Sequence, residues 1–77
     1  MVTILREAGF RIVIFTDDHE PAHVHVYGDG DAKVQIAGER AELVWVVGMK
    51  ASDIRKMMTI VERNRDRLLA AWRDIHG

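Results

Sequence analysis

The chain contains no cysteine, which excludes disulfides, thiolate zinc sites, iron–sulfur ligation and cysteine nucleophiles together. It also lacks a dominant charge: 11 basic residues against 12 acidic ones leave a net charge of −1. No overall basic field therefore points to nucleic acid. Long apolar runs are missing too. The longest, Leu43 to Met49, falls far short of the ~20 residues that a membrane-spanning helix requires. Arg6, Glu7, Arg11, Asp17 and Asp18 do not fit a secretory signal, so the expected setting is cytoplasmic with no membrane contact. What is present is 77 residues, 48% hydrophobic and 30% charged, an ordinary globular balance in a chain sized for one domain, 1–77. A chain of this size buries only about 60% of its unfolded surface. Without disulfides, apolar packing, a partner or a non-thiolate metal must hold it together.

The pattern reads as strands first and helix last. Phe10 to Thr16 is β-branched and aromatic, bounded by Gly9 and the polar stretch Asp17–Pro21. In Ala22 to Tyr27, Val24 and Val26 fall on one face and His23, His25 and Tyr27 on the other. Gly28-Asp29-Gly30-Asp31 is turn chemistry. The alternation from Ala32 to Ala37 then predicts an antiparallel partner strand, and Gly38-Glu39-Arg40 makes the next turn. Leu43 to Val47 is apolar on both faces, as expected of a central strand or of an edge covered by a partner. Met1–Ala8 is a lead-in or a short added strand.

From Ala51 the apolar period lengthens to about 3.6 residues. Ile54, Met57, Met58, Val61, Leu68, Trp72 and Ile75 form the stripe, which weakens at Asn64 and Arg65. Ser52 is the expected N-cap, with Asp53 in the first turn. The expected fold is α+β: an antiparallel sheet of three to four strands, then one long or two short helices packed on one sheet face. The other face stays open to solvent, a ligand or another chain.

Three of the four histidines lie in Asp17-Asp18-His19-Glu20-Pro21-Ala22-His23-Val24-His25. On a strand, His23 and His25 project from one face, roughly 7 Å apart. Exposed there, they suit chelation of zinc, nickel or manganese, with Asp18, His19 or Glu20 as third ligand. The same pair also suits proton transfer as a general acid and base. A purely structural reading stands beside both: Asp18, His19 and Pro21 fix the loop into the second strand, and the other two histidines decorate a solvated face. The Gly28–Asp31 stretch lacks the distant bidentate glutamate of a calcium loop. Arg63, Arg65 and Arg67 are interleaved with Glu62 and Asp66, which reads as a solvated helix face. His76 suits a helix C-terminus without further role.

Asp18-His19-Glu20-Pro21-Ala22-His23-Val24-His25-Val26 resembles the D-H-x-P-x-H-x-H signature of the bacterial proteins called domain of unknown function 4160. Arg67-Leu68-Leu69-Ala70-Ala71-Trp72 resembles the closing helix of that family. Ala22 stands where a second proline is frequent there, and Val61-Glu62 where a tryptophan often lies. The resemblance implies a small cytoplasmic protein with no established activity or cofactor, encoded beside a second small protein in a toxin–antitoxin-like gene pair. Two functions follow as expectations. One is a protein-interaction component of such a cassette, bound to the neighbouring gene's product or to a second copy as a homodimer. The other is a small metal-dependent or acid–base ribonuclease-like enzyme using His19, His23 and His25, with nucleic acid present only as an RNA substrate. Repression of DNA is disfavoured by the charge balance and by the lack of a helix-turn-helix pattern.

Overall fold

The computed structural model describes residues 1–77. Five strands precede two helices: β1 (Val2–Glu7), β2 (Phe10–Ile14), β3 (His23–Tyr27), β4 (Asp31–Gln35), β5 (Glu42–Val47), α1 (Ala51–Arg63) and α2 (Arg65–His76). The strands form one antiparallel meander in chain order. The α+β class holds, but the sheet has five strands rather than three to four. The added one is β1, whose alternation is blurred by an irregularity between Thr3 and Leu5. It closes onto β2 through Ala8 and Gly9, both with positive φ. Two such residues make the tight hairpin whose twist matches a right-handed strand pair.

The helices cover the face carrying Ile12, Ile14, Val24, Val26, Val34 and Ile36. Met57, Ile60, Val61, Leu68 and Trp72 supply the other half of this core, so the stripe read at helical spacing is the packed one. The helix breaks at Asn64, whose side-chain amide donates to the Ile60 carbonyl. Lys50, not Ser52, occupies the α1 N-cap, without a side-chain hydrogen bond. The arginines of the break are not simply solvated: Arg63 pairs with Glu7, Arg65 with Glu62, and Arg67 donates to the Ile4 carbonyl. Two of them thus tie the helices to β1.

No helix is long and apolar enough to cross a membrane. The strand apolar on both faces is β5, and it is an edge of the sheet rather than its centre. Leu43, Val44, Trp45 and Val47 are all exposed there, Val47 by 65%.

Candidate functional site

His25, on β3, lies opposite Val13 of β2 and Lys33 of β4, and Lys33 lies opposite Trp45 of β5. Antiparallel partners share a face, so these side chains form a row across the side of the sheet away from the helices. The alternation of β3 thus places His23 and His25 opposite Val24 and Val26, as the sequence predicts. Their exposure differs from expectation. His23 is 5% exposed and His25 is half-buried.

The cause is aromatic cover. Phe15 meets the His25 ring edge-on at 4.8 Å between centroids, and the two imidazoles meet each other at 5.3 Å. Trp72, near the end of α2, closes on His23 at 5.2 Å. The indole Nε1 of Trp72 also donates to the Glu20 carboxylate at 3.1 Å. His76 stacks on the indole at 3.8 Å between centroids. The helix therefore grips the histidine loop through one residue.

That loop folds so that Asp18 reaches both rings. Its Oδ2 lies 3.1 Å from Nε2 of His23 and 3.5 Å from Nε2 of His25. The Asp18 N–H donates to the Phe15 carbonyl at 3.2 Å, closing the turn. The Glu20–Pro21 peptide is cis, and the Pro21 carbonyl sits 2.9 Å from Nδ1 of His23. A carbonyl can only accept, so Nδ1 carries the hydrogen. In a neutral ring this leaves Nε2 as a bare lone pair, aimed at a carboxylate oxygen. Asp18 Oδ2 is buried and receives no hydrogen bond of normal geometry. Two acceptors held face to face require a cation between them, either a proton or a metal ion.

Burial holds the His25 imidazole below its ordinary value of 6.5. Asp18 opposes this shift, while His23 and Lys33 add to it. The neutral form so favoured is the one that coordinates metal. The ligand atoms of Asp18, His23 and His25 lie within 4.8 Å of one another. Ligands ~2.1 Å from a tetrahedral zinc sit ~3.4 Å from each other, so the two separations to Asp18 already suit such an ion. Drawing the ligand atoms onto one centre asks the widest separation to close by about 1.4 Å.

A cavity of about 540 Å³ opens over this cluster. One wall is the loop, with Asp17, His19, Glu20 and Pro21; the other is Lys33, Gln35, Val44 and Trp45. Val44 and Trp45 are neighbours in sequence yet both line it. The register slips between Lys33 and Val34, leaving Val44 as an extra residue, and such a bulge re-aims side chains that would otherwise alternate.

Residues 9–73 match the sequence profile of a family described as Domain of unknown function (DUF4160). The chain belongs to this family. No curated protein and no solved structure matches it. The DUF4160 segment takes in the histidine loop, β4, β5 and Trp72, and leaves β1 outside. Asp18, His23, His25 and every residue lining the cavity therefore lie within the matched segment.

Of the residues singled out from sequence, the structure brings together Asp18, His23 and His25. His19 is exposed at the cavity wall and does not join them, so the convergent trio is not His19, His23 and His25. Pro21 contributes its carbonyl to His23. Four further residues were not singled out for the site: Phe15, Lys33, Trp45 and Trp72. Lys33 was within reach, because a hairpin turning through Gly28–Gly30 sets His25 opposite it. Trp45 depends on the edge position and bulge of β5, and Trp72 on the helix packing angle; neither has a local signature.

Proposed function

We propose that Asp18, His23 and His25 bind a divalent transition metal, with zinc the best fit, followed by nickel and manganese, and that the site performs metal-dependent hydrolysis. One observation carries this reading: the buried Asp18 Oδ2 faces the Nε2 lone pair of His23, whose other nitrogen is committed to the Pro21 carbonyl. A hydrogen bond from the second ring nitrogen to a backbone carbonyl is the usual way a metal-ligating histidine is oriented. Two histidines and one carboxylate leave coordination positions for water and substrate, as in catalytic rather than structural sites. A bound ion would lower the pKa of its water toward neutrality. The test is calorimetric titration of the chain with zinc, nickel and manganese. Micromolar or tighter zinc binding, lost in His23→Ala and weakening below about pH 6 as the ligands protonate, is expected. Zinc binding that survives His23→Ala unchanged would sink the assignment.

A second reading is favoured by β5, whose exposed apolar residues occupy an unpaired sheet edge. Here the protein is the interaction component of a toxin–antitoxin-like pair, and the neighbouring gene's product adds a strand along β5. Co-expression of the two products tests it: a stable complex broken by a charge on β5 is expected, and two proteins that elute apart exclude it.

A further inference from the structure

The far wall of the cavity indicates what the metal would act on. Lys33 is half-buried, faces the histidines and forms no ion pair. A lysine ammonium without a carboxylate partner is free to receive an arriving anion. Beside it, as its cross-strand partner, Trp45 leaves 40% of its surface exposed although it lines the cavity. Its ring lies 6.2 Å from that of His25, tilted by 59°. Gln35, the cross-strand partner of His23, offers an amide on the same wall. The space between Asp18, His23, His25 and Lys33 thus has a flat apolar surface one strand further out and a donor–acceptor group beside it.

We infer that the cavity takes a nucleotide unit, with its phosphate between the metal position and Lys33 and its base stacked on Trp45. This rests on the metal reading for the phosphate subsite and on Trp45 for the base. Stacking of a base on an exposed aromatic ring is tolerant of sequence, because every base has a π-face. The cavity volume of about 540 Å³ suits one such unit. Asp17 and Glu20 on the opposite wall disfavour a polyanion in the absence of a cation, so binding should depend on the metal. Two sources share this chemistry, a free mononucleotide and a residue of a single strand.

The experiment uses the full chain loaded with zinc, titrated calorimetrically with inorganic phosphate, adenosine 5′-monophosphate and a five-residue single-stranded oligoribonucleotide. The monophosphate should bind at least about tenfold tighter than phosphate, the range a stacked base supplies. Trp45→Ala should remove that margin, read as the ratio of monophosphate to phosphate affinity within the same zinc-loaded variant, and Trp45→Phe should retain most of it. Lys33→Gln should weaken phosphate and monophosphate alike. Tighter binding of the oligonucleotide than of the monophosphate identifies a strand as the source, and the reverse identifies a free nucleotide. A monophosphate that binds no tighter than phosphate, or a margin untouched by Trp45→Ala, overturns the proposal. If zinc itself fails to bind, the metal reading and the phosphate subsite that rests on it fall together. Stacking of the base is then read on the metal-free chain with uncharged adenosine, and only binding that Trp45→Ala removes upholds it.

Discussion

At Asp18 the two accounts of the loop make opposite predictions. If the carboxylate holds a protonated His23, converting it to an amide removes a charge-assisted bond and costs about 1–3 kcal/mol. If it is a metal ligand, the metal-free protein holds two opposed acceptors, and an amide in place of one of them can donate to the other. Asp18→Asn should then leave the metal-free chain at least as stable as the parent at pH 8, while zinc affinity drops about tenfold or more. Urea melts without metal, paired with zinc titrations, read both quantities. His25 adds a pH dependence with a definite sign. Burial lowers its folded pKa beneath 6.5, so between these values the unfolded chain binds more protons than the folded one. The stability it contributes is complete above 6.5 and is lost as pH falls through the folded value. Urea midpoints of the metal-free protein should therefore fall between pH 7.5 and pH 5, and His25→Gln should flatten the slope. Equal slopes in both proteins would show that some other group titrates.

Among the elements, α2 does two jobs through Trp72, which is 3% exposed. The indole fills the core beside Leu68, and it also backs His23 and binds Glu20. Trp72→Ala should cost about 3–5 kcal/mol in urea melts. It should weaken zinc binding as well, because His23 loses its backing. A loss under ~1 kcal/mol would mean that the tryptophan does not anchor the helix. The core side of this arrangement was legible in the sequence. Period-two alternation placed Val24 and Val26 inward and the histidines outward, and the helical stripe placed Leu68 and Trp72 on the buried face. The site was legible only as a set of ligands. Alternation assigns a side chain to a face of its sheet, not to the cover that another element provides. His23 therefore read as exposed until Trp72 and the loop were seen to close over it. Strand β1 reads from the sequence only as a lead-in or a short added strand for a related reason: its irregularity at Thr3–Leu5 interrupts the period on which the reading depends.

For the whole molecule, the open question of surface lies at β5. A sheet of five strands has two edges, here β1 and β5, and soluble proteins usually blunt such edges with charge, proline or a bulge. The edge at β5 has one bulge at Val44 but no charge between Leu43 and Val47. A net charge of −1 supplies little repulsion to keep two copies apart. The chain should consequently associate as concentration rises, either with itself or with a partner strand. Val47 is the residue to change, since it is 65% exposed and does not line the cavity. Val47→Lys should hold the protein monomeric in light scattering and break any complex formed along β5. Its urea midpoint should correspond to a change within about 0.5 kcal/mol, as for an exposed position, and zinc affinity should be unaltered. Association that persists undiminished in Val47→Lys would move the interface off this edge. A parent chain that stays monomeric at high concentration, with no partner bound, would remove β5 as a binding edge altogether.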